Sequence, residues 1–145
     1  MAITLQQAKN WLRIDFDDDN DLIQSLISTS EEWVQKYTCH ILNPSIQVLE
    51  GTGCDVEIYE YPFNVTGSVG NYKVDNRSLK SVFHIPVGSS VTLSIGYQSL
   101  NNIPAPLITA CLKLITYMYE NRDSYSIGIP IDVQGLINQY RRGLF

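Results

Sequence analysis

The fold class is decided by residues 15–37, DFDDDNDLIQSLISTSEEWVQKY, in which an acidic turn is followed by a long helical pattern. Five aspartates lie within the first seven positions of this stretch. Behind them, apolar or small side chains recur three and four positions apart, as they do on one face of an α-helix. That face consists of Leu22, Ile23, Leu26, Ile27, Ser30, Trp33, Val34 and Tyr37.

The aspartates are better suited to starting this helix than to binding a metal. A calcium-binding loop needs a glycine at its sixth position and a glutamate at its twelfth. A loop that starts at Asp15 has Asn20 and Leu26 in those positions. Carboxylates are favourable at the positive end of a helix dipole, and they accept hydrogen bonds from first-turn amides. We therefore predict that Asp18 and Asp19 cap the helix.

Three more helices are predicted, one before this segment and two near the end of the chain. Thr4 and Gln7 have the spacing of a capping box. Pro104 and Pro106 open an apolar segment, and Asp132 is placed to cap a last short helix. The predicted helices cover residues ~4–13, ~19–38, ~105–121 and ~132–141.

The third predicted helix is apolar on nearly every side. Between Leu107 and Tyr119 only Thr109, Lys113 and Thr116 are polar. Such a helix must be covered on nearly every side. The rest of this chain can supply the cover, and so can a neighbouring subunit.

Between residues ~45 and ~98 the apolar residues alternate with polar ones, which is typical of strands. The alternation is clear in CDVEIYEY (54–61) and SVTLSIGY (90–97), and shorter strand-like runs lie at IQVLE, NYKVD and SVFHI. This region predicts a small antiparallel sheet or a pair of hairpins. The expected fold is α+β: a small helical bundle of about four helices with an inserted antiparallel β region, in a single domain spanning residues 1–145.

Charge is sparse and unevenly distributed. Charged residues make up 17% of the chain, which is low, and nine tyrosines accompany them. Either the tyrosines form contact surfaces or they belong to an ordinary core. Residues 1–61 carry eleven acids and three bases, whereas residues 62–145 carry four acids and seven bases. Such a chain can associate head to tail around a ring, although its charges can equally be solvated surface.

No pattern of catalytic residues is recognised. The histidines, His40 and His84, have no partners at metal-site spacing, and no phosphate-binding loop or nucleophile motif occurs. We therefore assign no catalytic, cofactor-binding or metal-binding residue, and we expect no enzyme. Three scattered cysteines favour a reducing cytoplasm over a disulfide framework, and the most apolar run is too short to span a bilayer. No dense basic patch suited to gripping nucleic acid is present.

The two ends of the chain resemble a known family. The segments TLQQAKNWLRID (4–15), DLIQSLISTSEEWVQKYT (21–38), IPAPLITACLKLITYMYENRD (103–123) and IPIDVQGLINQYRR (129–142) follow one another around a strand-rich middle. In this order they resemble the head–tail connector, or head-completion adaptor, proteins of tailed bacteriophages and prophages. The resemblance covers roughly residues 3–40 and 103–142, and the middle is similar only to the variable strand region of the family.

The resemblance implies a structural protein of the virion. Adaptors of this kind form a homo-oligomeric ring, commonly a dodecamer, beneath the portal protein. They extend the DNA channel, through which DNA passes without specific binding, and they meet a stopper or tail-completion protein. The implied location is the host cytoplasm during assembly and then the virion neck, with no membrane contact. Another neck protein, or a small enzyme or ligand-binding domain with a pocket in the strand region, remains an alternative.

The C-terminal segment is the candidate contact with the portal. Tyr140, Arg141 and Arg142 resemble the family segment that meets it. Leu144 and Phe145 add apolar side chains, so the segment is suited to an arm that docks on an acidic groove. The alternative is that the segment packs back on its own bundle.

Overall fold

The computed structural model describes residues 2–77, 80–121 and 130–141. Its contacts divide the chain into two compact units. The helical unit takes in residues 1–38 and 99–141, and the β unit takes in residues 39–98. The single domain expected from the sequence remains a prediction.

The helical unit contains the four predicted helices, with ends within a few residues of those expected. Two 3₁₀ turns accompany them, at Leu100–Asn102 and Asn138–Tyr140. The helices are α1 (Leu5–Leu12), α2 (Asn20–Thr38), α3 (Ala105–Glu120) and α4 (Ile131–Ile137).

Local sequence accounts for the ends of α1. Thr4 is the N-cap: its side chain accepts a hydrogen bond from the backbone N–H of Gln7, and the Gln7 side chain accepts one from the N–H of Thr4. This reciprocal pair is a capping box. Arg13 ends the helix in a left-handed conformation, with φ of 58°.

Helix α3 is the centre of the helical unit and packs against each of the other three helices. No residue from Pro106 to Tyr119 is exposed. The chain's own helices therefore supply much of the cover that the apolar composition of α3 requires. Its fully buried residues are Leu107, Ala110, Cys111, Leu114 and Ile115, with Met118 1% exposed.

The prediction that Asp132 caps α4 is wrong. Pro130 is the N-cap, no side chain caps this end, and the helix begins at Ile131, one residue before the aspartate. Pro130 has φ −56° and ψ 149°, which is extended backbone, so the helical conformation begins only after it. Asp132 lies inside that turn, where its charge still favours the helix dipole.

The β unit consists of two antiparallel three-stranded sheets, in the orders β1–β6–β3 and β2–β5–β4. Together with the four helices they give the α+β fold that the sequence predicts. A shared core lies between the sheets, formed by Leu49, Ile58, Phe83, Ile85, Val91, Leu93 and Ile95. The strands are β1 (Ser45–Glu50), β2 (Asp55–Ile58), β3 (Phe63–Val69), β4 (Lys73–Asn76), β5 (Ser81–His84) and β6 (Ser90–Ile95).

One strand was missed from the sequence. The apolar residues of β3 do alternate with polar ones, but the central Gly67 is typical of turns and interrupts the pattern. In the pairing of β3 with β6, Thr66 is an extra residue: the register moves from Val65 opposite Leu93 to Gly67 opposite Thr92. This β-bulge exists only in the folded sheet, and the sequence pattern does not show it.

Candidate interaction surfaces

The acidic turn between α1 and α2 lies at the surface of the helical unit. Four of its five aspartates are exposed and Asp19 is half-buried. Phe16, within the same turn, is 47% exposed. The turn therefore offers negative charge beside an aromatic ring. The exposed aspartates are Asp15, Asp17, Asp18 and Asp21.

Lys9 ties the turn to α1. Its ammonium lies 2.8 Å from Oδ1 of Asp17, and its side chain is only 8% exposed, whereas that of Asp17 is 84% exposed. The hydrogen bond from Lys9, together with its positive charge, holds the pKa of Asp17 below the ordinary value of 3.8. Lys9 thus fixes the turn and neutralises part of its charge.

Asp19 also ties the turn to α3. The hydroxyl of Tyr119 donates a hydrogen bond to Oδ2 of Asp19 at 2.5 Å. The assignment of Asp18 and Asp19 as caps of α2 remains a prediction. Among residues 2–77, 80–121 and 130–141, no group of three or more acidic, cysteine or histidine side chains is arranged to hold a metal ion.

The apolar face of α4 belongs to the core of the helical unit. Val133 is 1% exposed, Ile137 is fully buried, and α4 packs against α3. Side chains buried within their own unit are not available to another protein, so this face is not a docking surface.

The segment after α4 rests on the C-terminal end of α2. The hydroxyl of Tyr37 donates to Oδ1 of Asn138 at 2.5 Å, and the guanidinium carbon of Arg141 lies 4.7 Å from the centre of the Tyr37 ring. This is a cation–π contact. Tyr140 and Arg141 are both half-buried. The other candidate portal-contact residues, Arg142, Leu144 and Phe145, lie outside the described residues.

A buried carboxylate in α2 was not predicted. Glu31 is 1% exposed and its Oε1 accepts a hydrogen bond from the backbone N–H of Ile3 at 2.8 Å. Its position carried the signal, because it lies four residues after Ile27 and three before Val34, on the apolar face of the helix. Burial, with a smaller effect from the Glu31 charge, raises the pKa of the Cys111 thiol, which makes that cysteine a poor nucleophile.

The β unit has an open concavity of about 690 Å³ beside the β2–β5–β4 sheet. Asp55, His84 and Lys73 lie opposite one another on the three strands and line it. His84 Nδ1 pairs with an Asp55 carboxylate oxygen, so these two groups bind each other.

Comparison with protein families gives one match that covers nearly the whole chain. Residues 2–141 match the model of a family described as phage gp6-like head-tail connector protein. The match runs through both units and includes the strand region that the sequence motifs left aside. No curated protein sequence matches the chain.

Solved structures with the same fold come from gene transfer agent (GTA) particles. A chain from the neck of an empty GTA particle, computed with C6 symmetry, has a TM-score of 0.69 and 17% identity, over 99% of this chain and 91% of that one. A chain from the virion of a native GTA particle has a TM-score of 0.70 and 16% identity, over the same shares. A chain from the neck of a native GTA particle, computed with C12 symmetry, has a TM-score of 0.62 and 17% identity, over 86% of this chain and 84% of that one.

Proposed function

The chain belongs to the phage gp6-like head–tail connector family, and on that premise we propose that it is a structural subunit of a neck ring. The ring lies beneath the portal protein, extends the DNA channel and receives a stopper or tail-completion protein. The family match over residues 2–141 carries this proposal, because it covers both the helical unit and the β unit.

A ring of six or twelve copies is the arrangement we infer. The chains that share this fold belong to particles whose necks were computed with C6 and C12 symmetry. The uneven charge of the sequence supports the same inference, because an acidic N-terminal part and a basic C-terminal part attract each other between neighbours.

The acidic excess suits a DNA conduit. The net charge is −5, and the exposed aspartates of the turn between α1 and α2 add to the negative field of the helical unit. DNA phosphates are repelled by such a surface, so DNA slides past it without binding. We propose that DNA passes through the ring and makes no specific contact with this chain.

We propose no catalytic role. Asp55 and His84, the best-placed titratable pair beside a concavity, bind each other, and the family is one of structural connectors. Assembly in the host cytoplasm followed by residence at the head–tail interface fits this role. Over the described part of the chain, no helix is both long and apolar enough to cross a membrane.

The portal contact is proposed for the end of the chain. Tyr140 and Arg141 stand at the surface of the helical unit, and Arg142, Leu144 and Phe145 follow them in the sequence. Arginines in such a segment supply charge-assisted hydrogen bonds to an acidic groove. Because Arg141 rests on the Tyr37 ring, we place the main contact in the residues after it.

Binding to DNA-filled heads tests the proposal. Heads that carry the cognate portal and lack this protein are mixed with it and sedimented through a density gradient. We expect the protein to move with these heads and to stay behind when heads without a portal are used. If the protein does not bind portal-bearing heads, or binds them only after a tail-side protein has been added, the proposal is wrong and the protein is a different neck component.

A further inference from the structure

Four strands of the β unit lie at the edges of the two sheets, and they differ in how they are protected. An edge strand presents unpaired N–H and C=O groups to any other strand, and natural proteins guard such edges with charges or bulges. Strand β2 carries Asp55 and Glu57, and strand β4 carries Lys73 and Asp75. The edges of the β2–β5–β4 sheet are therefore guarded by charge.

The other sheet has almost no charge. Glu50, at the end of β1, is the only charged residue in β1, β3 and β6 together. The outer face of this sheet carries Ile46 and Val48 beside Ser94 and Thr92, their partners across the strand pair. Ile46 is 76% exposed and Val48 is 54% exposed. Glu50 lies at the next position of the same face, so one charge stands at the end of this exposed apolar pair.

Strand β1 is the least protected of the four edges. It has no bulge, and five of its six residues are exposed. Between residues that the structure describes, no backbone hydrogen bond reaches its outer edge, since those of Ser45–Glu50 run to β6. An exposed edge of this kind, with Ile46 and Val48 on it, can pair with another strand.

We propose that the outer edge of β1 is the surface on which a second copy of this chain docks, through the β3 edge of its own β1–β6–β3 sheet. The inference rests on the proposed ring and names the contact that closes it. A head-to-tail ring needs two different patches on opposite sides of each subunit. Strands β1 and β3 are the two sides of one sheet, so one sheet supplies both patches.

The absence of charge on β3 favours it over the other edge strands as the partner of β1. Strand β3, Phe63–Val69, contains no charged residue, so it brings no charge of its own into the contact with β1. The β2 or β4 edge of a neighbour brings carboxylates and an ammonium against Ile46 and Val48, and removing these charged groups from water costs desolvation.

The strand directions fix the kind of pairing. Both β1 and β3 run antiparallel to β6, so they run the same way in each copy. When one copy is related to the next by a rotation about an axis parallel to the strands, the strand direction is unchanged. The ladder between β1 of one copy and β3 of the next is therefore parallel. The bulge at Thr66 reduces the number of hydrogen bonds that β3 can make with β1 of the next copy. The exposed side chains of Ile46, Val48 and Val69 therefore contribute further contact area between the copies.

A lysine placed on the edge tests the contact. In Val48→Lys the new charge stands on the proposed interface, and in the matched control Val74→Lys it stands on the β4 edge of the other sheet, where Val74 is 36% exposed. We expect the wild type and Val74→Lys to assemble alike in native mass spectrometry. Val48→Lys should associate about tenfold more weakly or not at all. Circular dichroism of each variant checks that the fold is kept.

Hydrogen exchange on the wild type gives a second readout that needs no substitution. On assembly, backbone amides of β1 and β3 should gain protection, while those of β2 and β4 should not. The inference is overturned if Val48→Lys assembles like the wild type, if neither β1 nor β3 gains protection, or if the wild type stays monomeric at every concentration that its solubility permits. In each of these cases binding to portal-bearing heads still decides the proposed function separately.

Discussion

The carboxylate of Glu31, in the middle of α2, accepts a hydrogen bond from the backbone N–H of Ile3, with 2.8 Å between the two atoms. Ile3 is fully buried and Glu31 is 1% exposed, so neither group has water as an alternative partner. The bond fastens the segment before α1 to the bundle.

Replacing Glu31 by alanine should lower the free energy of unfolding by about 2–4 kcal/mol, because a buried N–H loses its partner and a void is left. Glu31→Gln keeps an amide oxygen in the same place and should cost about half as much or less. Urea denaturation measures both variants. An alanine variant as stable as the wild type would show that the bond contributes nothing.

The hydrogen bond from Tyr119 to Asp19 should stabilise the start of α2. We expect Tyr119→Phe and Asp19→Ala each to lower the free energy of unfolding by about 1–2 kcal/mol. The double variant should lose less than the sum, because both changes remove the same bond. Strict additivity in this cycle contradicts the contact. Asp18→Ala leaves this hydrogen bond intact and serves as the control; we expect it to cost no more than about 1 kcal/mol, the usual value of a helix cap with its dipole charge.

Acid should weaken the link between Lys9 and Asp17. The pKa of Asp17 is lower in the folded protein than its ordinary value of 3.8, so the ionised carboxylate stabilises the fold above that pH. This contribution is lost as the pH falls below 3.8 and through the folded pKa. Urea midpoints should therefore fall less steeply with acid in Asp17→Asn than in the wild type. An Asp17→Asn curve parallel to that of the wild type, with Asp18→Asn as control, rules the effect out.

Removing residues 142–145 should separate docking from folding. The contacts of Tyr37 with Asn138 and Arg141 remain in this truncated chain, so its melting temperature should match that of the full chain. Attachment to portal-bearing heads should be lost with Arg142, Leu144 and Phe145. Truncated protein that binds heads normally contradicts the proposed portal contact, and truncated protein that melts early shows that these residues stabilise the fold.

Calcium should leave the melting temperature unchanged, because two aspartates of the acidic turn already have partners and no metal-binding group is arranged among the described residues. Asp17 pairs with Lys9 and Asp19 accepts from Tyr119. Differential scanning calorimetry with and without calcium measures this. A rise of many degrees would show that the turn binds the metal, and magnesium at the same ionic strength is the control.

Local signals predicted the four helices: apolar residues three and four positions apart indicated α2, and two prolines indicated the start of α3. The capping box of Thr4 and Gln7 was readable because both partners lie within four residues. Features that depend on distant partners were not readable. The bulge in β3 exists only through its pairing with β6, and the role of Glu31 depends on Ile3, which is 28 residues away. The start of α4 was misplaced by one residue, because an aspartate is favourable both at the N-cap and within the first turn.

Electron microscopy of portal-bearing heads incubated with this protein tests its role as a neck ring most directly. We predict a closed ring beneath the portal vertex, coaxial with the DNA channel, with six or twelve copies, the numbers that match the C6 and C12 symmetry with which the GTA necks were computed. Portal vertices that remain bare, or that carry single copies without a closed ring, would contradict that role.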